Sequence, residues 1–293
     1  MTPAEIAVVG AGPAGVAAAV QLRRCGLDPT VYERGPVGGL LHNAHLVENY
    51  PGFPEGIAGA ELATRLEDHL RRYDVALCRE EVTAASFEGD AFVVEAAGSP
   101  RPYPLLIVAS GTRPREFPGL GAETYGRVFY DVYRMGDVSG KRVVVVGAGD
   151  AAFDYALNLG RGSDVLILGR GARPRCIPPL ESRVAAAPNV EYRPAAEVSK
   201  LDVTGLGVDL TVEGPEGPEA VRADYVLLAL GREPEMGFIG ESFMEKAGKL
   251  EVDGRLYFVG DVRNGDLRQA AIAAGDGLRA AMRIYKKMKE GQV

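Results

Sequence analysis

The 293 residues hold few side chains able to do chemistry of their own. Three cysteines, Cys25, Cys78 and Cys176, lie far apart, with no CxxC and no metal-ligand spacing. Of the three histidines, His42 and His45 have no cysteine nearby and read as loop residues. What the chain offers is backbone chemistry. Gly10-Ala11-Gly12-Pro13-Ala14-Gly15 follows the apolar run Ile6–Val9, and Glu33 ends a second apolar run at Thr30–Tyr32. Strand, glycine turn, helix, strand and acid together read as a dinucleotide-binding unit. Gly10 allows the turn, Gly12 lets the backbone approach a pyrophosphate, and Gly15 lets the helix pack close. The helix N-terminus offers N–H groups and partial positive charge to phosphate, and Glu33 offers acceptors to a ribose.

The pattern then repeats. Lys141–Val146 leads into Gly147-Ala148-Gly149-Asp150-Ala151-Ala152, a helix to about Leu159 and a strand from Asp164 to Leu168. Two such units in one chain are far more specific than one. The second strand ends Leu168-Gly169-Arg170 where the first ends Tyr32-Glu33-Arg34. No acid there repels a 2′-phosphate, and Arg170, Arg173 and Arg175 lie close, which points to NADPH. The alternative is a solvated basic loop.

The remaining elements must position these turns. Leu62, Leu66 and Leu70 fall on one face of a helix over 60–73. Strands are expected over 75–82, 91–96, 104–109 and 225–230, and the run Leu256–Val262 precedes a last helix over about 268–288. Two strands end in similar breaks, Ser110-Gly111-Thr112 and Gly231-Arg232. The net charge of −7 gives no basic field for nucleic acid or anionic lipid. No apolar stretch approaches membrane-spanning length, and the N-terminus lacks signal-peptide character. Scattered cysteines in odd number suit a reducing cytoplasm.

The motif set resembles the two-domain flavoprotein disulfide reductases, in the short form typified by bacterial thioredoxin reductase. The residues that carry it are Gly10–Gly15, Gly38-Gly39, Val47-Glu-Asn-Tyr-Pro-Gly52, Ala109–Thr112, Gly147–Gly149, Gly260-Asp-Val262 and Arg268-Gln-Ala270. The resemblance implies an α/β fold of two doubly wound dinucleotide-binding domains, the second inserted into the first. Residues 1–113 and 232–293 would bind FAD, and 114–231 would bind NAD(P)H. It assigns FAD to Gly10, Gly12, Pro13, Ala14, Gly15, Glu33, Arg34, Gly39, Leu40, Asn49, Val82, Ala109 and Gly111. Gly260, Asp261, Arg268, Gln269 and Ala270 join them, with Asp261 on the ribityl chain and the last helix's N-terminus at the flavin's pyrimidine end. Gly147, Gly149, Asp150, Ala151 and Arg170 would hold NADPH, and a homodimer is expected.

One departure matters. Counted back from Gly140-Lys141, the cysteines of a thioredoxin reductase fall here on Tyr130 and Tyr133. A phenol cannot do thiol–disulfide exchange. Related reductases without CxxC carry a cysteine in the first glycine loop, where this chain has Ala14. Cys25 and Cys78 read as packed residues, and Cys176 is the one thiol candidate. The middle segment, with Phe129-Tyr130 and Asp150-Ala-Ala-Phe-Asp154, is similar to the thioredoxin-reductase-like ferredoxin–NADP reductases, which have no dithiol. The expected activity is electron transfer from NADPH through FAD to ferredoxin, flavodoxin, a quinone or another small acceptor. No side-chain acid, base or nucleophile is required. The other expectation is a flavin-binding protein that is reduced by a protein donor, or acts as a sensor without turnover.

Overall fold

The computed structural model describes residues 5–121 and 124–291. The chain divides into two compact units, one of Met1–Leu41, Glu48–Arg113 and Glu233–Val293, the other of His42–Val47 and Pro114–Arg232. The six residues His42–Val47 thus group with the second unit, although the sequence reading keeps them in the first.

In chain order the first unit begins with β1 (Glu5–Val9), α1 (Pro13–Arg24), β2 (Asp28–Tyr32), α2 (Gly59–Arg72), β3 (Ala76–Cys78) and β4 (Val82–Glu88). It continues through β5 (Ala91–Ala96), β6 (Ser99–Tyr103), β7 (Leu105–Val108) and β8 (Thr112–Pro114). The second unit supplies β9 (Val128–Phe129), β10 (Arg142–Val146), α3 (Asp150–Leu159), β11 (Asp164–Leu168), α4 (Pro178–Ala186) and β12 (Val190–Arg193). Next come β13 (Glu197–Thr204), β14 (Gly207–Gly214), β15 (Gly217–Ala223) and β16 (Tyr225–Leu228). The chain returns through β17 (Arg232–Pro234) and closes with α5 (Glu241–Asp253), β18 (Leu256–Phe258) and α6 (Ala270–Lys289). The strands β8 and β17, at the two crossings, pair with each other.

Each unit is built on a five-stranded sheet, in the order β18-β7-β1-β2-β3 in the first and β12-β11-β10-β16-β9 in the second. All pairings in both are parallel. The central strands are covered on both faces, which is why β1, β7 and β10 read as unbroken apolar runs. Antiparallel three-stranded sheets, β4-β5-β6 and β13-β14-β15, pack on one face of each. On the other face of the second sheet lie α3 and α4, through Phe153, Leu159, Leu180 and Val184.

Helix α2 buries Leu62, Leu66 and Leu70, the face expected from their spacing. The strand expected over 75–82 is two elements instead, β3 and β4, because the chain bends between them. Arg79 and Glu81 at the bend point outward into ion pairs with Glu67 and Arg34. The last helix starts at Ala270 rather than at Arg268. It lies against α1 through small residues, and a Cβ added at Gly277 would collide with the backbone of Ala14. No described helix is long and apolar enough to cross a membrane.

Candidate functional site

In the first unit the glycine turn is closed by backbone hydrogen bonds. Gly10 N–H donates to the Tyr32 carbonyl at 2.8 Å, and Ala109 N–H donates to Val9 at 2.8 Å. A side chain at Gly10 would strike the Ala109 carbonyl, so this crossing demands glycine. Helix α1 then starts at Pro13 with Gly12 as an extended N-cap and no side-chain cap, so no intrahelical carbonyl reaches the Ala14 and Gly15 amides. The Glu33 carboxylate accepts Ala11 N–H at 2.7 Å and Gly35 N–H at 2.8 Å. That fixes the acid at the end of β2, beside the turn. Arg34 pairs with Glu81, which brings the start of β4 and Val82 alongside.

Other expected residues gather on the same turn. Gly38 N–H donates to the Ala11 carbonyl at 2.8 Å, and Gly39 lies against Gly12, with Leu40 following. Gly260 packs on Ala14 and Ala273, which places Asp261 next to the start of α1. Asn49 Nδ2 donates to Gln269 Oε1 at 2.7 Å, beside the uncapped N-terminus of α6 at Ala270. The Gly111 carbonyl accepts Glu235 N–H at 3.0 Å, and Ser110 donates to the Glu235 carbonyl at 2.6 Å, tying β7 to the returning chain. Arg268 precedes this helix start and is partly buried. The cradle fits a dinucleotide: backbone donors at two helix starts, an acid held for a ribose, and glycines where backbone must come close.

The second unit repeats the geometry. Gly147 N–H donates to Leu168 at 2.9 Å and Ala229 N–H to Val146 at 2.8 Å. A Cβ at Gly147 would lie 2.5 Å from the Ala229 carbonyl oxygen. Helix α3 starts at Asp150-Ala151 with Gly149 as its N-cap and no side-chain cap. The Asp150 carboxylate instead accepts Ile177 N–H at 2.8 Å, and Arg175 N–H donates to the Ala148 carbonyl at 2.7 Å. These two bonds fold the arginine-bearing loop onto the glycine turn. Arg170, Arg173 and Arg175 on that loop are all exposed. The clasp was not legible in the sequence, because it depends on where the chain after β11 turns back.

Tyr130 and Tyr133 have separate roles. Tyr130 packs against the β13-β14-β15 side of the second unit's core, and its hydroxyl accepts Phe117 N–H at 3.0 Å. Tyr133 is partly exposed beside His42, and its hydroxyl accepts a hydrogen bond from Arg134 Nε at 3.1 Å. The Cys176 thiol is pushed up, first by burial and then by the nearby carboxylates of Glu181 and Asp150. Burial, with a hydrogen bond to Glu80, does the same to Cys78. Neither is poised as a thiolate.

A network around residues 42–47 has no counterpart in the sequence reading. The fully buried Asn43 donates to Asp131 at 2.9 Å and accepts Tyr133 N–H at 3.3 Å. Asp131 also pairs with Arg232 at 3.4 Å. The Asp154 carboxylate accepts His45 N–H at 2.9 Å. Burial raises its pKa, against the lowering effect of the His45 and Leu46 N–H groups and of the His45 and Arg183 charges.

The chain matches the family model of the pyridine nucleotide-disulphide oxidoreductases over residues 4–277. It is 30% identical to the thioredoxin reductase of Bacillus subtilis, over 98% of this chain and 96% of the relative. It is 29% identical to that of Mycolicibacterium smegmatis, over 98% and 97%. The crystal structure of Lactococcus lactis thioredoxin reductase in its FR conformation superposes with a TM-score of 0.85 at 25% identity, covering 98% of this chain and 99% of that one. The two glycine turns, their helix starts and these matches agree: the chain belongs to the pyridine nucleotide-disulphide oxidoreductases, in the thioredoxin-reductase-like class, and is an FAD-dependent NAD(P)H oxidoreductase.

Proposed function

We propose that this enzyme passes electrons from NADPH through FAD directly to an external acceptor, such as ferredoxin or flavodoxin, with no dithiol between. The observation that carries this reading is the pair of tyrosines. Tyr130, at the expected position of one sulfur, is spent on the Phe117 N–H. Tyr133, at the other, is engaged by Arg134. Neither phenol can open a disulfide, and no other pair of cysteines is close in the sequence.

The protein's own part is binding and placement. Glu33, held by Ala11 and Gly35, offers its carboxylate to a ribose of FAD. The amides of Ala14 and Gly15 would hold the pyrophosphate, Asp261 the ribityl chain, and Gln269 and Ala270 the pyrimidine end of the ring. The positive end of α6 there favours negative charge on that ring. When bound, FAD supplies the chemistry that accepts hydride from NADPH and releases electrons to the acceptor. In the second unit Gly147, Gly149, Asp150 and Ala151 form the turn that would hold NADPH, with Arg170 the residue that would meet its 2′-phosphate. A small redox protein and a second copy of the chain are the partners this reading expects.

Steady-state NADPH oxidation with a panel of acceptors tests it. Turnover is expected with ferredoxin, flavodoxin or a quinone, and none with oxidised thioredoxin. Thioredoxin reduction that survives Cys176→Ser would overturn the reading.

A further inference from the structure

The two nucleotide units match strand for strand at their glycine turns and second strands, and the match exposes a substitution at one position. In the first, Glu33 follows β2 and its N–H donates to the Cys78 carbonyl of β3 at 2.9 Å. In the second, Gly169 follows β11 and its N–H donates to the Arg193 carbonyl of β12 at 3.0 Å. Gly169 therefore stands where Glu33 stands. By the same registers Tyr192, opposite Ile167, stands where Leu77 stands, opposite Val31.

The space of the missing acid is not empty. A Cβ at Gly169 would lie 2.7 Å from the Tyr192 hydroxyl oxygen, 2.9 Å from its Cε2 and 2.9 Å from Ala148 Cβ. Tyr192 reaches in from the neighbouring strand, its ring packed on Phe153 at 5.1 Å, and fills the first part of the path a side chain at 169 would take. Its hydroxyl oxygen is buried and has no hydrogen-bond partner. A buried polar group left without a partner destabilises the fold, so its presence here asks for a ligand.

We propose that Tyr192 replaces the ribose-binding acid of the second unit and donates its hydroxyl proton to the 2′-phosphate of NADPH, as a determinant of nucleotide choice. The proposal rests on the reading that NADPH enters this unit. The chemistry selects the phosphate. An ionised carboxylate only accepts hydrogen bonds, so it suits the two ribose hydroxyls and repels a phosphate, whereas a phenol can donate to one. Burial raises the Tyr192 pKa, with Cys176 and Glu181 adding to the effect, so the phenol keeps its proton. The surrounding loop is tied down by backbone bonds at both ends. Ala196 N–H donates to the Gly169 carbonyl and Ala195 N–H to the Gly171 carbonyl, both at 2.9 Å, at one end of the arginine loop. Arg175 and Ile177 tie its other end to Ala148 and Asp150. A phosphate at the end of β11 would meet the exposed guanidinium groups from outside and the phenol from beneath.

The test is calorimetric binding of NADP⁺ and NAD⁺ to the full FAD-loaded chain, wild type against Tyr192→Phe, with thermal melting as a check on packing. Tyr192→Phe keeps the ring against Phe153 and removes only the hydroxyl. The expected result is a loss in NADP⁺ affinity of roughly tenfold to a hundredfold, the range of a hydrogen bond to a charged group. NAD⁺ affinity should stay unchanged, and the melting temperature without nucleotide should hold or rise, because the variant removes an unpartnered buried hydroxyl. Gly169→Ala, which sets a methyl group against the hydroxyl, should also weaken NADP⁺. Unchanged NADP⁺ binding in Tyr192→Phe, or equal losses for both nucleotides, overturns the role of Tyr192 while leaving NADPH use intact. Wild-type protein that binds no NADP⁺ overturns both.

Discussion

The side-chain amide of Asn49 donates to the side-chain carbonyl of Gln269 across 220 positions of sequence, at 2.7 Å. The bond joins the Glu48-Asn49-Tyr50-Pro51-Gly52 loop to the residue that opens α6. It holds two parts of the expected flavin surface together before any cofactor arrives. Neither residue is buried, so the bond serves placement more than stability.

The packing of α6 on α1 should be as important to the cofactor as any side chain that touches it. Gly277→Val would push α6 away from Ala14 and so from the Gly12–Gly15 turn. Overpacking of this kind costs roughly 1–3 kcal/mol. The expected outcome is a lower melting temperature and less than full FAD occupancy, read from the ratio of flavin to protein absorbance. A variant with full occupancy and wild-type melting would show that the contact relaxes without consequence.

Tyr130 should behave as a structural residue. Tyr130→Phe strips the acceptor from Phe117 N–H and should cost about 0.5–1.5 kcal/mol in chemical unfolding. Flavin reduction by NADPH and turnover with the acceptor should be unaffected. A large fall in turnover without a change in stability would mean that the phenol takes part in electron transfer.

Asp154 gives the second unit a pH dependence of definite sign. Its folded pKa is raised by burial, so the folded state holds the proton more tightly than the unfolded chain. The stability this confers is complete below the ordinary carboxylate range. It is lost as pH rises through the folded value. Asp154→Asn should flatten that part of the profile and still offer an oxygen to His45 N–H. Asp154→Ala should orphan the N–H groups of His45 and Leu46 and speed their amide exchange at neutral pH. Slow exchange at both amides in Asp154→Ala would remove this carboxylate from the anchoring of residues 42–47.

The glycine turns were legible in the sequence because their cause is local: at Gly10 and Gly147 a second backbone passes where a side chain would stand. The apolar runs of β1, β7, β10 and β16 were legible for the same kind of reason, since strands buried on both faces carry no polar positions. The bend between β3 and β4 was not, because Arg79-Glu80-Glu81 holds no glycine or proline, and three charged residues in a row suit an exposed strand as well as a bend. Tyr192 was also hidden. Its meaning depends on the pairing of β12 with β11, which sets it over Gly169. The grouping of His42–Val47 with the second unit rests on contacts of Asn43 and His45 with residues 88 and 109 positions away, beyond any local pattern.

The central claim, a flavin with no dithiol behind it, is tested most directly by anaerobic titration of the FAD-loaded chain with NADPH while the flavin spectrum is recorded. NADPH carries two electrons and FAD takes two, so bleaching should be complete at about one equivalent per flavin. An endpoint near two equivalents, the signature of a second two-electron centre, would contradict it.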